Sequence, residues 1–335
     1  MSDLDNSTLI PVAIAGTGSY VPERVLSNAD LERMMDTSDE WIRERTGICE
    51  RRIAAEDEFT SHMATKAAQN ALENAGMSPE ELDLIIMATI TPDTPTPAAS
   101  CYLQRNLGAV NAVAFDISAA CSGFLFAMKI ASSFISSGVY RNVLIVAAEK
   151  LSNVVNWDDR STAVLFGDGA GAAILRPSQE GEGSILATDM GTDGTQLDLI
   201  AIPGGGSALP ITAANAHERL STLAMRGNET FRHAVTRMKN SANSVIGKAG
   251  LKPEDITLII PHQANLRIIN AIAARLDIPE DRVFINIQKY GNTSAAAVAI
   301  ALDEAHREGK FKRGDNIVLV VFGAGLVWAS AAIKW

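Results

Sequence analysis

Cysteine is scarce in this chain, with Cys49, Cys101 and Cys121 the three in 335 residues. An odd count without C-x-x-C spacing argues against a disulfide framework and a structural zinc site, and fits a reducing cytoplasm. No apolar stretch reaches the ~20 residues a membrane helix needs. The polar, acidic start Met1–Thr8 lacks the basic lead and apolar run of a secretory signal. Runs of one charge are missing too. Lys and Arg number 29 against 39 Asp and Glu, a net −10 spread along the chain, which argues against nucleic acid or an anionic membrane surface as partner. An acidic partner needs a local basic patch. What the chain does have is apolar side chains, 47% of the total, with a mean hydropathy of +0.09. That suffices for a large core, and at ~150 residues per domain the length suggests two domain-sized units. The most apolar segment, around Asn316–Gly325, is short and rich in Val and Leu, and reads as a strand buried on both faces.

The chain repeats itself. The segment from Gly76 to Ile86, GMSPEELDLII, recurs from Gly250 to Ile260 as GLKPEDITLII, an offset of 174. Each copy follows a helical stretch ending in Ala-Gly, where glycine suits a left-handed cap. Asn142–Val146 matches Asn316–Val320 at the same offset, Phe115–Ile117 resembles Ile285–Ile287, and Gly16-Thr17 rhymes with Gly191-Thr192. Three near-collinear matches favour an internal duplication, giving halves 1–176 and 184–335 joined by a Gly- and Glu-rich linker, 177–183. Strands alternating with amphipathic helices in each half predict an α/β fold with parallel-rich, helix-covered sheets. Where the copies differ in reactive residues, function is expected: His262 falls where the first half has Ala88, and the Cys121 helix start falls opposite Gly291-Asn292.

Cys121 sits in Ser-Ala-Ala-Cys-Ser-Gly, after a strand spanning 112–117 and at the head of a helix whose apolar positions Phe124, Ala127, Met128, Ala131, Phe134 and Ile135 follow helical spacing to Gly138. A thiol there faces the positive end of the helix dipole, which favours thiolate. Cysteine is also a common buried small residue, and the local sequence alone admits both readings. His262 lies in Pro-His-Gln-Ala-Asn at the C-terminal end of a buried strand, the end where α/β sheets place ligands. Asn292 lies in a strand-to-helix turn after Gly291, where capping is the default role of such a residue. The duplication stacks the two helix starts across a pseudo-twofold axis, so that Cys121, His262 and Asn292 converge from three strand ends. The small residues Gly323, Ala324 and Gly325 let backbone N–H groups approach a substrate oxygen, an oxyanion-hole candidate. Gly16-Thr-Gly18 and Gly204-Gly-Gly206 read as turns, since neither completes a nucleotide-binding motif. Gly167–Gly171 reads as a strand hairpin.

Together these stretches resemble β-ketoacyl-acyl-carrier-protein synthase III, the initiating condensing enzyme of type II fatty acid synthesis. The motifs TSDEWIRERTG (37–47), AACSG (119–123), FGDGAG (166–171), PHQANLR (261–267) and GNTS (291–294) stand in that family's order. The resemblance covers nearly the whole chain. It implies a thiolase-like fold, two duplicated halves in an α-β-α-β-α sandwich, and a cytoplasmic homodimer. It implies that Cys121 takes an acyl group from an acyl-CoA primer as a thioester, with N–H groups of Cys121 and of Gly323, Ala324 and Gly325 holding the oxyanion. His262 and Asn292 then hydrogen-bond the thioester carbonyl of malonyl-acyl carrier protein while CO₂ leaves, and the enolate attacks the acyl-enzyme. No metal or redox cofactor is needed.

By the same resemblance, Trp41 and Arg160 flank the CoA adenine, and Arg45, Asn228, Phe231 and Asn265 follow the pantetheine. Arg267, Arg232 and Arg275 form the basic patch for acyl carrier protein. Thr96 stands where short-primer members often carry a bulky Phe that closes the acyl pocket, which opens the choice between acetyl and longer or branched primers. The runner-up is a specialised condensing enzyme or acyltransferase of secondary metabolism on the same fold. A Cys-His-Asn set also occurs in papain-like proteases, but their cysteine does not follow a buried strand of a duplicated α/β chain. A non-catalytic scaffold has no physical need of a thiol at a helix head.

Overall fold

The computed structural model describes residues 9–335; the segment Met1–Thr8, read above as lacking a secretory signal, lies outside the described residues. The first half forms a five-stranded sheet of β1 (Val12–Tyr20), β2 (Leu84–Ala88), β3 (Val113–Ile117), β4 (Val143–Glu149) and β5 (Gly169–Pro177), in the order β1-β5-β4-β2-β3. Strands β4, β2 and β3 run parallel, and β5 is antiparallel to both of its neighbours. The second half repeats the plan with β6 (Ser184–Thr192), β7 (Leu258–Pro261), β8 (Asn316–Gly323) and β9 (Val327–Lys334), in the order β7-β8-β9-β6. A single parallel bridge from Ile259 to Val283 stands beyond β7 where β3 stands in the first sheet.

The duplication extends to register. Leu84 pairs with Val143 in the first sheet, and Leu258 pairs with Ile317 in the second, each partner 174 residues further on. The helices α1 (Thr60–Ala75), α2 (Ala99–Leu107), α3 (Gly123–Ser136), α4 (Gly227–Lys248), α5 (Leu266–Arg275) and α6 (Ala296–Arg307) complete the main layers. α1 and α2 cover the outer face of the first sheet, and α4 and α5 that of the second. Between the sheets lie α3 and α6, whose buried side chains join one cluster with residues of both sheets. The result is the five-layer α-β-α-β-α sandwich.

The middle layer explains the composition of its helices. An ordinary surface helix has one apolar stripe, whereas α6 is buried at every position from Ala296 to Ala305. Its alanines let a strand come close: a Cβ on Gly171 of β5 would stand 2.5 Å from the Ala299 Cβ. Two glycine motifs therefore differ from their sequence readings. Gly16 and Gly18 lie inside β1 rather than in a turn, because added Cβ atoms would sit 2.6 and 2.3 Å from backbone atoms of α1. Gly167–Gly171 is not a hairpin but the lead into β5, with Asp168 buried and accepting hydrogen bonds from Ala54 N–H and from the N–H and hydroxyl of Ser152. Both helix ends expected from the repeat carry left-handed glycines, Gly76 (φ 63°) and Gly250 (φ 69°). Among the described residues no helix is long and apolar enough to cross a membrane.

Candidate active site

Cys121 and His262 stand just beyond the C-terminal ends of strands. Asn292 follows a short helix, Ile287–Tyr290, and not the strand expected from the sequence, because the second half keeps only the single bridge at Val283 where the first half has β3. After β3 the chain passes Ala120, held at φ 43°, and makes a short 3-10 turn over Ala120–Ser122 before α3 starts at Gly123. Gly123 is needed there, since a Cβ would lie 2.7 Å from that of Ala88. His262 is the first residue past β7, and its N–H donates to Val320 O on β8 at 2.8 Å. Asn292 follows Gly291, held at φ 63°. The loop before β5 holds Asn292 on both sides: its N–H donates to Leu165 O (2.8 Å), and its carbonyl accepts from Gly167 N–H (3.1 Å).

Cys121, His262 and Asn292 all line one cavity of about 400 Å³. Of the residues carried over by resemblance, Trp41, Arg45, Asn228, Phe231, Asn265 and Arg267 line it too. Asn265 caps α5 through Arg267 N–H (2.9 Å) and donates to Arg45 O (3.0 Å), tying the cavity wall to the Trp41 helix, Asp39–Thr46. The guanidinium carbons of Arg45 and Arg160 each stand 5.0 Å from the centre of the Trp41 ring. Guanidinium groups thus cover the Trp41 ring, and Arg160 also donates to Asp36 O (2.6 Å). Arg267 lies over the Phe231 ring at 5.8 Å, and Arg232, Arg267 and Arg275 are exposed.

Gly323, Ala324 and Gly325 do not line this cavity, but Gly323 packs against the Cys121 backbone, because a Cβ there would lie 2.8 Å from Cys121 N. Thr96 is exposed in the loop before α2 and is absent from the cavity wall, so within one chain it does not reach the site.

Burial sets the charge states. The His262 ring is pushed down to about 4 by burial, so at neutral pH it is an uncharged imidazole. Its Nδ1 is buried without a partner, which leaves Nε2 on the cavity side. Asn292 Oδ1 accepts from Ser294 N–H at 2.8 Å, so the amide presents its NH₂ to the cavity. Both groups are neutral donors. Cys121 departs from the thiolate expected at a helix head. Burial pushes its thiol up to about 11; the Ser294 hydroxyl opposes this and the nearby Glu149 carboxyl adds to it. Cys121 lies within the 3-10 turn Ala120–Ser122, two residues ahead of the first residue of α3, and strands β8 and β9 of the second sheet pack against that turn.

Three residues of this environment went unread in the sequence. Glu149 ends the otherwise apolar β4 and is pushed up to about 7 by burial; an acid closing a buried strand was its only sequence signal. Ser294 stood in the sequence only as the last residue of the GNTS motif, with no role of its own. Gln263, beside His262, is 1% exposed. Its Nε2 donates to Pro261 O (2.7 Å) and Phe284 O (3.1 Å), and its Oε1 accepts from the N–H groups of Asn286 (3.0 Å) and Ile287 (3.2 Å). It thereby stitches the His262 loop to the segment leading to Asn292. Among the described residues no group of three His, Cys, Asp or Glu side chains could hold a metal ion.

Comparison with known proteins concerns the chain as a whole. Residues 115–194 match the profile of 3-oxoacyl-acyl-carrier-protein synthase III, and residues 246–335 match that of its C-terminal part. The chain is 54% identical over 326 residues to β-ketoacyl-acyl-carrier-protein synthase III of Caldanaerobacter subterraneus subsp. tengcongensis, covering 97% of this chain and 98% of that one. The corresponding protein of Clostridioides difficile is 51% identical, covering 96% and 98%. Among solved structures, 3-oxoacyl-acyl-carrier-protein synthase III of Aquifex aeolicus superposes with a TM-score of 0.89 at 52% identity, covering 97% of this chain and 100% of that one. The priming β-ketosynthase of a polyketide biosynthetic pathway superposes at 0.88 with 38% identity, covering 99% and 98%.

Proposed function

This chain belongs to the β-ketoacyl-acyl-carrier-protein synthase III family, and from that premise we propose that Cys121, His262 and Asn292 carry out its initiating condensation in the cavity they share. Cys121 sulfur bonds to the carbonyl carbon of an acyl-CoA, the carbon–sulfur bond to CoA breaks, and CoA leaves as the thiol. The N–H groups of Cys121 and of the Gly323–Gly325 turn hold the oxyanion, which the contact between Gly323 and Cys121 N supports. Malonyl-acyl carrier protein then places its thioester carbonyl against His262 Nε2 and Asn292 Nδ2. As the bond to the carboxylate breaks and CO₂ departs, the electron pair flows onto that oxygen, and two neutral donors stabilise it in a site with little competing water. The enolate carbon attacks the acyl carbon, and Cys121 sulfur leaves.

The observation that carries this reading is the meeting of one thiol with two uncharged donors on one cavity. The CoA adenine stacks on Trp41 once Arg160 swings off the ring. Acyl carrier protein, acidic by expectation, docks on Arg267, Arg232 and Arg275, and no resident cofactor takes part. The protein works as a cytoplasmic homodimer. Its partly buried Phe115, Ile117, Phe126 and Phe134, on edge strand β3 and adjoining α3, support a second copy at that edge, and Thr96 meets an acyl chain only if that copy delivers it. The primer is an acetyl or a longer or branched acyl group.

Intact-mass analysis with acetyl-, isobutyryl- and octanoyl-CoA, followed by malonyl-acyl carrier protein, tests the reading. An acyl mass absent from Cys121→Ala and discharged as β-ketoacyl carrier protein is expected. An adduct that persists would point to the specialised transferase, and no adduct with any thioester would overturn Cys121 as nucleophile.

A further inference from the structure

The buried acid beside the nucleophile has no part in the chemistry above, yet its surroundings are built around it. Thr89 Oγ1 (3.1 Å), Ile90 N–H (3.0 Å) and Thr91 Oγ1 (2.8 Å) all donate to Glu149 Oε2, whereas Oε1 is buried without a short hydrogen bond. The Ser294 hydroxyl is likewise buried without a short bond, and it adjoins both the Glu149 carboxyl and the Cys121 thiol. Ser294 is held at φ 52°, a left-handed conformation that L residues adopt at some cost, with its N–H anchored on Asn292. Two buried polar atoms without partners thus stand near the Cys121 thiol, and a buried atom left unpaired calls for an explanation.

We propose that Glu149 and Ser294 form a proton relay for Cys121, in which the Ser294 hydroxyl turns to bridge the two and the thiol proton passes to the Ser294 oxygen as the Ser294 proton passes to Glu149 Oε1. This rests on Cys121 being the acyl-accepting nucleophile. The S–H bond breaks, a new O–H bond forms on Glu149, and the thiolate attacks the thioester. The departing CoA sulfur takes the proton back along the same path, so the protein ends the step with its protons restored.

Charge balance favours this acceptor over the alternative across the cavity. With Glu149 ionised, thiol plus carboxylate and thiolate plus carboxylic acid both carry one negative charge, so moving the proton adds no buried charge. Moving it to His262 would create two charges where burial already holds the imidazole neutral. The other groups facing Glu149 are the hydroxyls of Thr89, Thr91 and Ser294. Lys150, next in the chain, sends its ammonium away to the carbonyls of Ala55, Glu56 and Glu58.

The test is the rate of Cys121 alkylation by iodoacetamide from pH 5.5 to 10, read by peptide mass mapping so that Cys49 and Cys101 do not contribute. In the parent protein the rate should rise with a midpoint near pH 7 and level off. Glu149→Gln should lose that limb, reacting at least tenfold more slowly at pH 7.5 and still climbing above pH 9. Ser294→Gly, which suits the left-handed backbone and removes only the hydroxyl, should shift the same way, and it decides the matter if Glu149→Gln melts early. An unchanged midpoint, or an equal fall at every pH, would overturn the relay. Acetylation of the parent by acetyl-CoA is measured alongside, so loss of the proposed function and loss of the relay give different results.

Discussion

Replacing Gln263 by alanine removes the side chain that joins the His262 loop to the approach to Asn292. Two backbone carbonyls and two N–H groups, at 2.7 to 3.2 Å from the amide, lose their partner in a region only 1% exposed. At about 1 kcal/mol for each buried group left unpaired, the low end because water can enter the space, the loss is about 4 kcal/mol. That is a large share of the ~5–15 kcal/mol by which a folded protein exceeds its unfolded state. Urea unfolding should show it as a lowered midpoint. The same change frees His262 and Asn292 from one another without touching the Cys121 turn, which the other half supplies. Acyl loading should therefore be spared while condensation falls by about 100-fold, the scale expected for a ~1 Å misplacement of reacting groups. The acyl-enzyme should accumulate. A stability loss below about 1 kcal/mol, or equal falls in loading and condensation, would refute the idea that this amide sets the spacing of the two donors.

Gly323→Ala should slow Cys121 acylation by about 100-fold in single-turnover assays, because its Cβ would stand 2.8 Å from Cys121 N and displace the nucleophile's turn; a rate within threefold of the parent would remove the Gly323 contact from the oxyanion argument. Burial moves His262 and Glu149 in opposite directions, so their contributions to stability against pH oppose each other. The His262 ring stays uncharged in the fold down to about 4, so its contribution is present above its ordinary 6.5 and is lost as pH falls toward 4. The Glu149 carboxyl holds its proton up to about 7, so its contribution is present below its ordinary 4.5 and is lost as pH rises toward 7. Relative to the parent, Glu149→Gln should gain about 1.4 kcal/mol of stability per pH unit between 4.5 and 6.5, and His262→Asn should lose as much, measured by urea unfolding across pH. Parallel curves for all three proteins would contradict those charge states. Trp41→Ala removes the surface on which Arg45 and Arg160 rest and should raise the KM for acyl-CoA about tenfold with little change in kcat. Reversing Arg232, Arg267 and Arg275 to glutamate should weaken acyl carrier protein binding at low salt and leave acyl-CoA loading intact, and an equal effect on both substrates would dismiss the patch.

Much of this protein is legible along the chain because the signals are local. The helical spacing from Phe124 to Ile135 and the left-handed caps at Gly76 and Gly250 each follow from a few neighbouring residues. The duplication then carries local signals to long range. The 174-residue offset predicts that His262 and the two helix starts meet, and the paired registers of β2 with β4 and β7 with β8 reproduce that offset. Gly16 and Gly18 were misread because nothing beside them announces a helix crossing 2.3 to 2.6 Å from where their Cβ atoms would be. The motif around Thr96 is local, whereas its exposure within one chain depends on how the loop before α2 lies against the rest.

The sequence by itself determined the two-fold plan and the alternation of strands and helices, and it singled out Cys121, His262 and Asn292, which the structure places on one cavity, since repeats, periodicity and small-residue turns are written in consecutive residues. Only the tertiary structure decided the charge of the groups between those residues. A helix head favours a thiolate, but α3 is enclosed between two sheets, and Glu149 from β4 and Ser294 from the turn before α6 stand beside the sulfur. Desolvation and Coulomb energy depend on distance through space, which a linear sequence does not record.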